Sequence, residues 1–286
     1  MEYSSQKILR IIDADLVCEC KTISDPVDPT LTLHNHDGFE VLLMLNGNLN
    51  LFIEGSGKKL TRGDLICLRP YIFHRAELLS EHLYDRIVIN FKEDFLKNAC
   101  SEKSDIASSF NRLPANTLDI IHLTEEEIQQ FADCAASLQK ALQYKEFGDD
   151  LLVSAYFAQL MVMINRHTIT GTIPHNPEII PKLVSDTFTY IESHITEEIT
   201  IKALEGQLHH NGSYISRCFK KITGTSLQQY IIAKKITHSQ TLLRMGYSPC
   251  DVCFMTGFNN YSNFSRTFSK MTGASPKQYQ IKERQA

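Results

Sequence analysis

Between residues 8 and 91 the apolar positions fall in short runs, many of them alternating with polar ones. The runs are Leu16–Cys20, Thr30–His34, Glu40–Leu45, Leu49–Ile53, Asp64–Leu68 and Arg86–Phe91. Asp37-Gly38, Asn46-Gly47-Asn48, Gly55-Ser56-Gly57 and Arg62-Gly63-Asp64 separate them. Short alternating or apolar runs broken by turn residues predict the strands of an antiparallel barrel or sandwich. Beyond residue 91 the period lengthens. Residues 92–112 read as a polar helix. Thr124 opens a second helix with Glu127 as its capping-box partner, and this helix runs to about Tyr144. A third, Asp149 to His167, is apolar on most faces, which predicts burial on several sides: one against the barrel, another against a second subunit. Thr168 to Pro181 contains Gly171, Pro174, Pro177 and Pro181 and reads as an interdomain linker.

The remaining residues contain a repeat. Residues 211–230, NGSYISRCFKKITGTSLQQY, align without a gap to residues 260–279, NYSNFSRTFSKMTGASPKQY, at an offset of 49, with 11 of 20 positions identical. In each copy an Asn precedes a stretch of helical spacing. Ile215, Cys218, Phe219 and Ile222 share one face, as do Phe264, Thr267, Phe268 and Met271. Each stretch ends at a Thr-Gly pair, with Gly224 or Gly273 as C-cap. A short helix precedes each copy, Ile201 to Leu208 and Pro249 to Thr256. Helix, tight turn, helix is the helix-turn-helix motif, whose second helix enters the major groove of DNA. The outward positions suit that role: Ser213, Tyr214, Ser216, Arg217, Lys220 and Lys221 in the first copy, Asn260, Tyr261, Ser262, Asn263, Arg266 and Lys270 in the second. Arg reads guanine and Asn reads adenine by paired hydrogen bonds, while Ser, Tyr and Lys hold phosphates. Ser226 to Met245 joins the units as one helix of roughly 30 Å, close to the ~34 Å between successive major grooves on one face.

Charge sharpens the division. Residues 182–286 carry 13 Lys+Arg against 7 Asp+Glu, net +6, which leaves 16 against 26, net -10, for residues 1–181. A basic half beside an acidic one points to a polyanionic partner. With 43% hydrophobic and 22% charged residues, the chain is neither disordered nor fibrous. Its longest apolar stretch, Leu151 to Ile164, is too short to span a bilayer, so no membrane partner is expected. The start, MEYSSQKILR, has no apolar segment behind a basic one, and the eight cysteines form no disulfide framework. A cytoplasmic protein with reduced thiols is expected. Cys250 and Cys253 have metal-like spacing, but no second Cys or His pair lies near, and they read as packing residues.

Residues 184–286 resemble the DNA-binding domain of the AraC/XylS transcription regulators. The resemblance rests on Tyr190-Ile191, on Tyr214 through Arg217 with Phe219-Lys220-Lys221 and Gly224, on Gly257-Phe258, and on Tyr261 through Arg266 with Phe268, Gly273, Ser275-Pro276 and Tyr279. Glu205, His210, Cys253 and Ser269 depart from the pattern, which usually has Ala, Leu, Ala and Lys there. A buried Glu205 would be costly if unpaired, so atypical packing or less tight DNA reading is expected of the first helix-turn-helix unit.

In the acidic half, His34, His36 and Glu40, then Gly47, Gly63-Asp64, Pro70 and His74, resemble the cupin signature. If they sit on a strand, His34 and His36 point to the same side. Three imidazoles and a carboxylate can hold a divalent transition metal. In the sensor domains of AraC-type regulators, such residues more often hold a small effector by hydrogen bonds or simply pack.

These readings lead to a multidomain expectation: an all-β, cupin-like barrel with central dimerisation helices, followed by an all-α domain with two helix-turn-helix motifs. The expected divisions are 1–112 for the effector-sensing domain, 113–168 for the dimerising helices, 169–182 for the linker and 183–286 for the DNA-binding domain. The expected function is effector-controlled regulation of transcription, without a cofactor. Expected partners are double-stranded promoter DNA, a second copy of the chain and a small effector bound by His34, His36, Glu40 and His74. The resemblance implies a sugar first among effectors, and activation, hence contact with RNA polymerase. The competing reading is a metal-dependent cupin enzyme fused to a helical domain; a duplicated helix-turn-helix argues against it.

Overall fold

A computed structural model describes residues 8–10, 12, 14–23, 32–79, 84–111, 117–143, 146–170 and 178–285. Its contacts divide the chain into two units. The first comprises residues 10–31 and 35–179; the second comprises residues 180–286 together with 1–9 and 32–34.

Leu9 aside, the first unit is built on strands β1 (Leu9–Arg10), β2 (Leu16–Ile23), β3 (Asn35–His36), β4 (Phe39–Asn46), β5 (Leu49–Ile53), β6 (Ser56–Leu60), β7 (Asp64–Leu68), β8 (His74–Leu78) and β9 (Tyr84–Phe91). Helices α1 (Glu93–Ala99) and α2 (Ser108–Asn111) follow, then β10 (Ile120–His122), α3 (Glu125–Gln143) and α4 (Asp149–Thr170). β10-β7-β4-β9-β2 form one sheet, β6-β5-β8 a second, and β1 pairs with β3.

Alternation along β4 divides the unit into two cores. Leu42 and Met44 join Leu49, Leu51 and Ile53 of the smaller sheet in an apolar interior between the sheets. Val41 and Leu43 face the other way, with Ile87, Ile89 and Phe91, against the helices. From α3 come Phe131 and Leu138, and from α4 come Phe157, Leu160, Met161 and Ile164.

One helical expectation changes. The single helix over 92–112 is broken: Cys100 is extended, Ser101 and Ser104 exchange backbone hydrogen bonds, and the Asp105 carboxylate takes the Ala107 N–H. α4 packs one side on the sheet as expected. Its inner face is fully covered, while Leu151 is 71% and Val162 37% exposed. Of the linker expected at 169–182, residues 171–177 lie outside the described residues, as do residues 24–31, which include the start of the Thr30–His34 run. The end of that linker is firmly held. Glu178 accepts from the Ser56 hydroxyl at 2.9 Å and the Gly57 N–H at 2.8 Å, and pairs with Lys58 at 2.7 Å. The Ile179 N–H donates to the Gly57 carbonyl at 2.9 Å.

The second unit contains α5 (Lys182–Ser193), α6 (Ile201–Leu208), α7 (Gly212–Thr223), α8 (Leu227–Arg244), α9 (Pro249–Met255), α10 (Tyr261–Thr272) and α11 (Pro276–Gln285). Phe188, Phe219 and Tyr230 form an aromatic core around α5, α7 and α8, with ring centroids 5.0–5.4 Å apart. Phe264, Phe268 and Tyr279 do the same for α10 and α11. Ser226 and Gln229 form a capping box at the start of α8, which stops this long helix from fraying into the preceding turn. No helix among the described residues is long and apolar enough to cross a membrane.

Candidate functional site

The reading helices α7 and α10 occupy equivalent places in two helix-turn-helix units, α6–α7 and α9–α10. The Asn211 side chain accepts from the Ser213 N–H and that of Asn260 from the Asn263 N–H; Gly224 and Gly273 close the helices in left-handed conformation. Asn260, expected to read a base, thus already spends its side-chain oxygen on capping. Ser213, Tyr214, Arg217, Lys220 and Lys221 are exposed and Ser216 is half-buried, while Asn260, Tyr261, Ser262, Asn263, Arg266 and Lys270 are exposed. Among the described residues no carboxylate pairs with Arg217, Lys220, Lys221, Arg266 or Lys270. Their charge faces outward, as a phosphate- and base-binding surface requires.

Glu205 does not loosen the first unit. Its Oε1 accepts the Gly212 N–H at 2.6 Å, so the carboxylate satisfies an otherwise orphaned first-turn donor of α7. A Cβ on Gly212 would stand 2.2 Å from Ile201 Cγ2, which explains why glycine sits where α6 and α7 approach. His210 is exposed, its ring 5.7 Å from that of Tyr214.

In the first unit, three of the four expected side chains converge. His36 comes from β3, Glu40 from β4 and His74 from β8; one ligand-competent atom of each lies within 4.8 Å of the others. His36 Nε2 is 3.0 Å from Glu40 Oε2, and the two imidazoles meet edge-on at 5.1 Å. Nδ1 of His36 donates to the Gly38 carbonyl at 2.8 Å, and Nδ1 of His74 to the Ile72 carbonyl at 3.0 Å. These bonds fix the ring orientations. His34 is not part of the group. It groups with the helical unit, and its Nδ1 lies 3.1 Å from the Thr32 carbonyl. The same-side argument fails because the strand begins at Asn35, so His34 and His36 do not lie on one strand.

Burial pushes the Glu40 carboxyl up, but the hydrogen bond from His36 and the charges of His74, His36 and Arg86 outweigh it and hold the group below the usual carboxylate range. Burial pulls His74 down to about 4, against the opposing pull of Glu40. The site therefore combines a persistent carboxylate with a neutral imidazole that donates through Nδ1 to Ile72 and leaves Nε2 as an acceptor.

The sequence reading missed Tyr84 and Arg86. They fall in the inward phase of β9 with Val88 and Asn90, and Asn90 pairs with Glu40 across the strands. Arg86 Nη1 donates to the Tyr84 hydroxyl at 3.3 Å, while its Nε is buried without a partner among the described residues. The signal was available: Tyr84-x-Arg86-x-Val88-x-Asn90 places three polar side chains in the inward phase of one strand.

The comparisons with known proteins agree with this layout. The model of the AraC-like ligand binding domain matches residues 23–161, and a helix-turn-helix domain model matches residues 206–282. An uncharacterised HTH-type transcriptional regulator, YbfI of Bacillus subtilis, is 23% identical over 236 residues, 80% of each chain. The HTH-type transcriptional activator RhaS of Shigella flexneri is 19% identical over 265 residues, 90% of this chain and 91% of its own. A crystal structure of ToxT from Vibrio cholerae aligns over 94% of this chain and 98% of its own, at 15% identity and a TM-score of 0.37. The enzyme reading falls with these matches. The two domain models follow one another, ligand binding before helix-turn-helix, and that succession along one chain makes this protein a member of the AraC family of transcription regulators.

Proposed function

We propose that the protein activates transcription in the cytoplasm in response to a small polar effector, a sugar in the first instance, held between the two sheets by His36, Glu40 and His74. The observation that carries this reading is the convergence of these three side chains beside an otherwise apolar interior. A few placed polar groups in an apolar enclosure orient a polar ligand. Arg86, whose Nε has no partner among the described residues, and Asn90 extend the set toward a ligand rich in acceptor oxygens.

The functional division we assign is sensing by 1–112, dimerisation by 113–168, linkage by 169–182 and DNA binding by 183–286. In the DNA-binding part, Arg217 and Arg266 read base edges. Ser213, Tyr214, Ser216, Lys220, Lys221, Asn260, Tyr261, Ser262, Asn263 and Lys270 hold phosphates or neighbouring bases. The outward face of α4, with Leu151, Leu152 and Val162, is the surface for a second copy. Activation, and with it contact to RNA polymerase, is carried over from RhaS.

A thermal-shift screen of sugars and related metabolites tests the effector reading. A true effector raises the melting temperature of the wild type and loses most of that effect in His36→Ala and Glu40→Ala. Variants that respond like the wild type refute the site. A divalent metal in the same trio is the second reading, favoured by the two Nδ1–carbonyl bonds, an arrangement common behind metal-bound histidines. A response abolished by a chelator selects it.

A further inference from the structure

Lys235 lies midway along α8, the helix shared by the two helix-turn-helix units, and only 6% of it is exposed. Its Nζ donates to two backbone carbonyls, Glu197 at 2.7 Å and Gly257 at 2.9 Å. Glu197 belongs to the segment entering α6, in the first unit. Gly257 belongs to the turn between α9 and α10, in the second. One ammonium therefore ties both units to the helix between them.

The turn is shaped around this contact. Gly257 takes φ +67, and a Cβ there would stand 2.5 Å from Lys235 Nζ, 2.7 Å from the Thr196 carbonyl oxygen and 2.8 Å from that of Glu197. Only glycine lets the turn of the second unit approach the first so closely. The Phe258 ring centroid lies 5.8 Å from Nζ. Burial draws the Lys235 ammonium down from its ordinary value, with Glu198 opposing.

A buried ammonium is an expensive way to fill a core; an apolar side chain of similar volume fills it at less cost. What the ammonium adds is direction. Apolar packing tolerates a helix rolling over its neighbour, whereas two directed hydrogen bonds to carbonyls of two different segments do not. The reading helices need such a constraint. They flank an open cleft of about 810 Å³, with Arg217 and Lys220 on one side, Asn260 and Asn263 on the other, and Ile231 and Lys235 along α8 beneath.

We propose that Lys235 is a positioning residue that fixes the separation and angle of α7 and α10, and thereby sets the half-site spacing the protein accepts on DNA. Rigidly linked modules bind best when the linker matches the span of their sites, and lose that advantage sharply when it does not. A looser brace broadens the accepted range while each helix goes on reading its own half-site.

The test uses the full chain and a duplex selected from a random library by the wild type. Its two half-sites are then moved closer or further apart by about 2 bp from their helical-turn spacing. The wild type should prefer the selected spacing by about tenfold or more, and Lys235→Met by less than about threefold. Gly257→Ala strains the same contact from the other side and should flatten the preference likewise. Circular dichroism checks that each variant is folded. Lys235→Gln, which keeps one amide donor, replaces the Met variant if that chain does not fold, with the same flattening expected. A folded variant that weakens binding equally at every spacing, or keeps the wild-type preference, overturns the proposal.

Discussion

Acidification should destabilise the sensor unit through His74. This imidazole is 4% exposed, and burial lowers it from 6.5 to about 4. The charged neighbours are Glu40 on β4, which favours the protonated ring, and His36 on β3 and Arg10 on β1, which oppose it. Because the folded value lies below the unfolded one, the unfolded chain takes up the proton first as pH falls. The stabilisation is whole above pH 6.5 and is lost progressively down to about pH 4. At about 1.4 kcal/mol per pKa unit the full effect is about 3 kcal/mol. Integrating proton uptake between pH 7 and pH 5 gives a loss of about 2 kcal/mol. Glu40 acts elsewhere: its contribution is present above 4.5, the ordinary carboxyl value, and fades only in stronger acid. The assay is urea denaturation at pH 7 and pH 5, followed by tyrosine emission, since the chain has no tryptophan. Wild type should lose about 2 kcal/mol more than His74→Gln over this range. Parallel losses in the two proteins would refute the account of His74 as a buried neutral imidazole.

Other outcomes follow from the same geometry. Arg266→Ala should cost roughly 1–3 kcal/mol on the selected duplex and relax discrimination, whereas Lys221→Ala should weaken selected and random DNA alike; anisotropy titrations decide, and equal loss on both duplexes for Arg266→Ala removes its base-reading role. Val162→Glu on the outward face of α4 should convert dimer to monomer in light scattering; Tyr156, which packs against the core, is a poor probe of that surface. A wild-type monomer at micromolar concentration would end the dimer proposal. Gly212→Ala should destabilise the helical unit by about 1–3 kcal/mol through overpacking on Ile201, although alanine is the better helix former; a more stable variant in chemical denaturation contradicts this.

The helix-turn-helix units were legible because their determinants are local. Caps, apolar stripes and Ser-Arg pairs all lie within one turn or two of each other, and their recurrence at 49 residues exposed the duplication. β5 and β7 were legible for a related reason: an apolar side and clear turn residues at both ends. β6 and β8 were not. Lys58, Lys59, Arg75 and Glu77 obscure their alternation, and they are strands through their register with β5 on either side. The helix over 92–112 failed because side-chain and backbone bonds near Ser101 and Asp105 outcompete helical continuation. In the sensing site, parity along one segment could not show which side chains of β3, β4 and β8 converge, and His34 is not among them. Lys235 left no trace in the pattern at all: its carbonyl partners lie 38 and 22 residues away.

The clasp around Glu178 changes what the interdomain segment can be. α4 ends at Thr170 and Glu178 is anchored on the β5–β6 hairpin, so both ends of residues 171–177 belong to the sensor unit. That stretch therefore has both its ends at fixed points of one unit. Its length enters only as loop-closure entropy, about 0.6 kcal/mol for each doubling, so inserted residues there should leave communication between the units intact. The clasp also ties Glu178 to the hairpin whose Ile53 lies opposite His74 in the neighbouring strand, so a Glu178 substitution loosens a support of the sensing site from outside it.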